Sequence, residues 1–73
     1  SLSLASLVGF TIVSASDGLP VGAIAAIDDQ TANILFELED GTLIPANDDL
    51  IIDIDTTKRQ ITMSLPEGLL ALR

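Results

Sequence analysis

The side chains of this sequence that could do chemistry are carboxylates and one neighbouring amide, arranged in three groups. Two groups are pairs at alternate positions, and the third is a run of consecutive polar residues. The residues are Glu37, Glu39, Asn47, Asp48, Asp49, Asp53 and Asp55. Groups of this kind can transfer protons, hold a divalent cation, or meet the lysines and arginines of a partner protein.

Catalysis by these carboxylates lacks the usual second group. The chain has no histidine and no cysteine, so it offers neither an imidazole base nor a thiolate nucleophile. None of its serines lies in a Gly-x-Ser-x-Gly turn. We therefore predict that the protein is not an enzyme and uses no cofactor.

Metal binding at the acidic run is disfavoured by the spacing. Asp48, Asp49, Asp53 and Asp55 do not follow an EF-hand loop, which has ligands on alternate residues, a central glycine and a closing glutamate. We predict no metal site. Asn47 and the two residues after it are interpreted as a turn whose side chains bond nearby backbone amides.

The balance of charge favours a protein partner over a nucleic acid. Eleven acidic residues against three basic ones give a formal net charge of −8. Such a field repels phosphates and attracts basic proteins. Lys58 and Arg59 are interpreted as local salt partners in a turn. The alternative is that the acidity only keeps a small apolar domain soluble.

Six short strands are predicted to position these groups. Alternating aliphatic residues, bounded by Asp-Gly and other turn residues, indicate each strand. The predicted strands cover residues 7–15, 21–27, 33–39, 42–44, 50–55 and 60–65. This spacing predicts an all-β fold, a small barrel or a highly bent sheet. Glycine and alanine in the second strand would let another strand come close.

The alternation also predicts which side chains face the core. Those predicted to point inward are Ile34, Phe36, Leu38, Ile52, Ile54, Ile61, Met63 and Leu65. In the first strand, Val8, Phe10 and Ile12 are predicted to share one face. Glu37 and Glu39 then point outward from the third strand, and Asp53 and Asp55 from the fifth. We interpret these pairs as acidic rows for a lysine- and arginine-rich partner. The alternative is that they are the solvated face of a sheet.

The two ends of the chain carry separate expectations. Residues 1–6 are predicted to be a linker or lead-in, and residues 7–73 the domain. The apolar opening stretch is too short and too polar to span a bilayer. Pro66 and the leucines after it predict a short C-terminal helix that plugs one barrel end. Because the chain opens on Ser1, we expect a domain of a longer protein whose N-terminal part shares the function.

Several segments resemble the C-terminal domain of the RimM family of ribosome maturation factors. The most specific is Leu-Pro-Glu-Gly-Leu-Leu at residues 65–70. The Leu-Ile-Pro step at 43–45 and the alternating segment at 50–55 are also similar to the closing half of that domain. Residues 7–13 resemble the family's first strand, and the resemblance extends over nearly the whole chain.

The resemblance implies a PRC barrel, which is a small SH3-like open barrel of six strands. It also implies a cytoplasmic, non-enzymatic factor that assists processing of small-subunit (16S) rRNA and assembly of the subunit. The implied partner is small-subunit ribosomal protein nineteen, a basic protein of the subunit head, with no direct nucleic-acid or membrane contact by this domain. The rival interpretation is a free-standing PRC-barrel adaptor unrelated to ribosomes. We expect a monomer, and self-association through a sheet edge is a third alternative.

Overall fold

One six-stranded sheet makes up the protein in the computed structural model, which describes residues 4–30 and 32–65. A 3₁₀ helix, Leu4–Leu7, precedes the strands. They are β1 (Thr11–Ser14), β2 (Pro20–Asp28), β3 (Leu35–Leu38), β4 (Leu43–Pro45), β5 (Ile51–Asp55) and β6 (Gln60–Met63). The predicted all-β, six-stranded fold is confirmed. The predicted C-terminal helix from Pro66 lies outside the described residues.

The strand order is β4-β3-β2-β1-β6-β5. All neighbouring pairs are antiparallel except β1 and β6, which run parallel. β4 and β5 are therefore the two edges, as expected for an open barrel. The Asp-Gly turn after β1 and the one after β3 each join antiparallel neighbours, which confirms the two predicted hairpins.

Strand β2 is the long element that both halves of the sheet share. Its pairing with β3 skips a residue between Ile24 and Ala26, and its pairing with β1 skips one between Gly22 and Pro20. Each skip is a β-bulge, which bends a strand and increases its twist. A Cβ on Gly22 would lie 3.2 Å from Cδ1 of Leu38. The small residues of β2 thus allow the close approach that was predicted.

The core consists of side chains from every strand except β5, joined by two residues that precede β1. Its buried members are Leu7, Phe10, Ile12, Ile24, Phe36, Leu38, Ile44, Ile61 and Met63. Phe36, Leu38, Ile61 and Met63 were predicted to point inward, and the partly buried Ile54 and Leu65 pack against the core as predicted. Phe10 and Ile12 share a face, as was also predicted. Leu7, Ile24 and Ile44 were not assigned to the core from the sequence.

Val8 corrects the prediction for the first strand. It was expected to share a face with Phe10 and Ile12, which are buried, yet Val8 is 40% exposed. The strand begins at Thr11 rather than at residue 7, because Leu4–Leu7 forms a 3₁₀ helix and Gly9, at φ +95, turns the chain. The inward residue of this lead-in is Leu7.

Ile52 corrects the prediction for the fifth strand. It was expected to face the core, yet 59% of its side chain is exposed. The pairing of β5 with β6 skips from Ile51 to Asp53, so Ile52 is the extra residue of a β-bulge. Ile51 and Ile54 both pack against the core. Compared with regular alternation, the bulge therefore moves the inward position on its N-terminal side from Ile52 to Ile51.

Candidate partner-binding surface

The predicted acidic rows lie on two strands that are not neighbours. Glu37 lies on β3 and Glu39 directly follows it, whereas Asp53 and Asp55 lie on β5. In the sheet, β2, β1 and β6 separate β3 from β5. All four side chains are exposed except that of Asp55, which is half-buried. The hydrogen-bonded sheet therefore does not place the two rows side by side.

Glu37 belongs instead with two carboxylates that the sequence analysis did not select. It pairs with Ala26 across the β2–β3 hairpin. A shallow open groove at this hairpin is lined by Ala26, Ile27, Asp28, Asp29, Gln30 and Glu37. Asp28 and Asp29 were missed because the apolar run that marks β2 in the sequence ends at residue 27. The pairing of β2 with β3 continues one residue further, to Asp28 opposite Leu35.

The run from Asn47 to Asp49 lies in the connection between β4 and β5. The carbonyl of Asn47 accepts hydrogen bonds from the backbone N–H groups of Leu50 at 2.9 Å and Ile51 at 3.3 Å. The carbonyl of Asp48 accepts from Ile51 at 3.2 Å. The chain turns here as predicted, but backbone carbonyls accept these hydrogen bonds, and not the side chains to which the prediction gave that role. All three of its side chains, including that of Asp49, are exposed.

Asp55 has a structural role that Asp53 does not share. Its Oδ1 accepts hydrogen bonds from the backbone N–H groups of Thr57 at 3.0 Å and Lys58 at 2.9 Å. These bonds close the β5–β6 turn, because an aspartate at the start of a turn substitutes for a backbone acceptor. Asp53 is exposed on the strand. Of the two, only Asp55 takes part in closing this turn.

Arg59 ties the β5–β6 turn to the segment before β1. Its Nη2 donates to the carbonyl of Val8 at 3.3 Å, and its guanidinium lies 5.5 Å from the ring centroid of Phe10. Its own backbone carbonyl accepts from Thr11 N–H at 3.0 Å. Arg59 was interpreted as a local salt partner. The contacts that place it here are with a neutral carbonyl and an aromatic ring.

Within residues 4–30 and 32–65, no group of three or more acidic, histidine or cysteine side chains is arranged to hold a metal ion. No helix in that part of the chain is long and apolar enough to cross a bilayer.

The strand order, the core and the exposed carboxylates define a small all-β barrel domain with an acidic surface. The family model described as the RimM PRC barrel domain matches residues 4–69. The chain therefore belongs to the RimM PRC barrel family, as its resemblance suggested.

Curated relatives agree with this assignment. The chain is 38% identical over 66 residues to ribosome maturation factor RimM of Phocaeicola vulgatus, which covers 86% of this chain and 38% of that protein. It is 41% identical over 69 residues to the RimM of Christiangramia forsetii, covering 90% of the chain and 39% of the relative. With the RimM of Bacteroides thetaiotaomicron it shares 41% identity over 75 residues, covering 97% and 41%. The chain thus spans about two fifths of the length of these relatives.

Proposed function

We propose that this domain serves in ribosome maturation, assisting the processing of small-subunit (16S) rRNA and the assembly of the subunit. The observation that carries the proposal is the family match over residues 4–69 together with relatives named ribosome maturation factor. This assignment favours a ribosomal role over the rival free-standing adaptor. In this proposal the domain acts in the cytoplasm by docking, without catalysing a reaction.

The proposed partner is small-subunit ribosomal protein nineteen, a basic protein. The net charge of −8 supports a cationic partner, since complementary fields raise the rate of encounter. Each exposed ion pair contributes only about 0–1 kcal/mol. The carboxylates therefore steer and orient the partner, and buried apolar contacts must supply most of the affinity.

Two acidic regions are available for steering. One is formed by Glu37 with Asp28 and Asp29 at the β2–β3 hairpin. The other comprises the exposed Asp53 of β5 and the residues 47–49 in the turn before that strand. They lie toward opposite ends of the strand order, at β2–β3 and at β5. A partner with a broad basic surface would be guided by both regions.

Neutralising one carboxylate in each region tests this steering. We expect Glu37→Gln with Asp53→Asn to slow association with purified small-subunit ribosomal protein nineteen by roughly two- to fivefold at low salt, with little change in dissociation. Stopped-flow fluorescence measures both rates. Surface neutralisation leaves the fold intact, because both side chains are exposed.

The matched control is Thr57→Lys with Gln60→Lys, two exposed positions at the β5–β6 turn. Both double variants change the net charge by the same amount. If the two slow association equally, the position of the carboxylates is irrelevant and only total charge matters. If the unmodified chain shows no binding at low salt, the proposed partner is wrong.

A further inference from the structure

The outer face of strands β2, β3 and β4 is more apolar than the outer face of the other half of the sheet. The register of β2, β3 and β4 joins their outer side chains in two rows, which are Ala26–Glu37–Leu43 and Asp28–Leu35–Pro45. The corresponding rows on β1, β6 and β5 are Val13–Thr62–Asp53 and Thr11–Gln60–Asp55. Apolar residues hold most positions of the first two rows and only one position, Val13, of the second two.

The two rows on β2, β3 and β4 point away from the core. Between them lies a third row of paired residues, Ile27, Phe36 and Ile44, of which Phe36 and Ile44 are completely buried. Successive side chains of a strand alternate between the two faces of the sheet. The residues that flank this buried row in each strand therefore lie on the outer face.

Three large apolar side chains are direct neighbours on this outer face. Leu35 pairs with Pro45 across the β3–β4 ladder, and Leu43 lies two residues from Pro45 on the same side of β4. Leu43 is 48% exposed, and Leu35 and Pro45 are half-buried. Single exposed hydrophobic residues are common on protein surfaces. Directly paired and diagonal residues of a sheet are within contact range, so these three form one continuous apolar surface.

The alternation of an ordinary half-exposed sheet does not account for this surface. An antiparallel sheet with one solvated face carries polar side chains on that face, and the rows on β1, β6 and β5 largely follow this rule. Strands β3 and β4 depart from it, because Leu35 and Leu43 occupy outward positions that a polar residue would satisfy at lower cost. An apolar surface on an otherwise polar sheet is a feature of protein interaction sites.

Carboxylates border the apolar side chains directly. Glu37 pairs with Leu43, and Asp28 pairs with Leu35. The groove at the β2–β3 hairpin continues from these two carboxylates to Asp29. Oδ1 of Asp28 accepts a hydrogen bond from the N–H of Gln30 at 3.2 Å, which fixes the orientation of that carboxylate.

The basic side chains of the described residues lie elsewhere. Lys58 and Arg59 occupy the turn between β5 and β6, at the other end of the strand order. The carboxylates beside Leu35 and Leu43 are therefore not neutralised by strand neighbours. This combination of apolar and acidic groups complements a surface that combines apolar side chains with lysine or arginine.

We propose that this outer patch, defined as Ala26, Asp28, Leu35, Glu37, Leu43 and Pro45, is the docking surface for the basic ribosomal protein. The inference rests on the proposed function and names the face of the barrel that is used. Apolar groups of the partner cover the two leucines and the proline, and its cations lie beside the bordering carboxylates. The patch supplies the affinity that exposed ion pairs alone do not, and the region around Asp53 contributes to encounter only.

The test is a pair of matched double variants titrated with purified small-subunit ribosomal protein nineteen in a calorimeter. Leu35→Thr with Leu43→Thr makes the patch polar while keeping residues that favour strands. We expect the dissociation constant to rise about tenfold or more. The control is Val13→Thr with Ile52→Thr, which also changes one half-buried and one exposed aliphatic residue, both outside the patch. The control should change the constant by less than about twofold.

A second measurement does not depend on any variant. In a methyl NMR titration of the unmodified chain, the signals of Ala26, Leu35 and Leu43 should shift when the ribosomal protein is added. The signals of Val13 and Ile52 should not. Shifts confined to Val13 and Ile52 would overturn the outer patch even if the threonine variants fold poorly.

The remaining outcomes separate this inference from the function on which it rests. If the unmodified chain binds and the Leu35/Leu43 variant binds equally well, the outer patch is wrong and the proposed function stands. If the unmodified chain does not bind, both fail. If light scattering shows mass growing with concentration, and the patch variant abolishes that growth, a second copy of the chain occupies the patch and the assigned partner is wrong.

Discussion

At the scale of single residues, two aspartates of one strand illustrate how identical chemistry takes different roles. Asp53 and Asp55 are separated by one residue on β5. Asp55 accepts two backbone hydrogen bonds and closes the following turn, whereas Asp53 is exposed. We expect Asp55 to matter for stability and Asp53 for the proposed binding.

Asp55→Ala should lower the free energy of unfolding by about 1 kcal/mol, because two backbone N–H groups lose their acceptor. Urea denaturation measures the change. Asp55→Asn keeps an acceptor oxygen and should retain most of the stability. Asp53→Ala should stay within about 0.5 kcal/mol of the unmodified chain; an equal loss at both positions would contradict the assigned roles.

Gly9 is a residue whose backbone disfavours a side chain and whose Cβ position lies against the end of the Arg59 side chain. Its φ is +95, and an added Cβ would lie 2.7 Å from Nη2 of Arg59. Gly18 also has positive φ, at +74, but an added Cβ meets nothing within 4 Å. Comparing substitutions at Gly18 and Gly9 therefore separates the cost of backbone strain, which both share, from the cost of displacing Arg59, which only Gly9 has.

We expect Gly18→Ala to destabilise the domain by about 1 kcal/mol through strain at positive φ. Gly9→Ala should cost about 1 kcal/mol more, because the arginine must leave the Val8 carbonyl and the Phe10 ring. Thermal or urea unfolding gives both values. In an Arg59→Ala background the difference between the two glycine variants should shrink, and a difference that persists would mean that the arginine contact is unimportant.

At the scale of elements, the β5 bulge decides which isoleucines stabilise the core. Ile51 and Ile54 pack against the core from either side of the bulge, and Ile52 between them is exposed. Regular alternation would have placed Ile52 and Ile54 on the same face. The bulge also interrupts the pairing of an edge strand.

Ile54→Ala should therefore lower the free energy of unfolding by about 1–2 kcal/mol, less than for a fully buried isoleucine because the side chain is half-buried. Ile52→Ala should change it by less than about 0.5 kcal/mol. Chemical denaturation of the two variants under one condition provides the comparison. A larger loss at Ile52 would show that the strand lacks the bulge.

The two edge strands are poor templates for pairing with another chain. β4 is three residues long and ends in Pro45, which has no N–H to donate. β5 contains the bulge and the exposed Asp53. Short length, proline, bulges and charge are features that protect sheet edges from association. They favour the expected monomer and direct partner binding to a face of the sheet.

At the scale of the whole molecule, a net charge of −8 on 73 residues produces a field that acts before contact. Association with small-subunit ribosomal protein nineteen should therefore slow by about tenfold or more between roughly 0.05 and 0.5 M salt, as screening shortens its range. Dissociation should change much less. Stopped-flow measurements across this series test the expectation, and a salt-independent association rate would contradict it.

The amino-acid sequence by itself determined the class of fold, because period-two alternation and turn residues are local signals. The six strands, both Asp-Gly hairpins and the inward positions of Phe36, Ile61 and Met63 follow from them. The negative charge is likewise a property of composition, and the proposal of a cationic partner rests on it. The family resemblance rests on short motifs that are also visible in the chain.

Only the tertiary structure decided how the strands meet. The parallel pairing of β1 with β6 joins residues about fifty positions apart, and it places Val13 beside Thr62. The β5 bulge is invisible in the sequence because Ile51 and Ile52 are both aliphatic, so either could face the core. Hydrogen bonding and packing against β6 choose Ile51. These choices depend on contacts between distant segments, so no local pattern in the sequence reveals them.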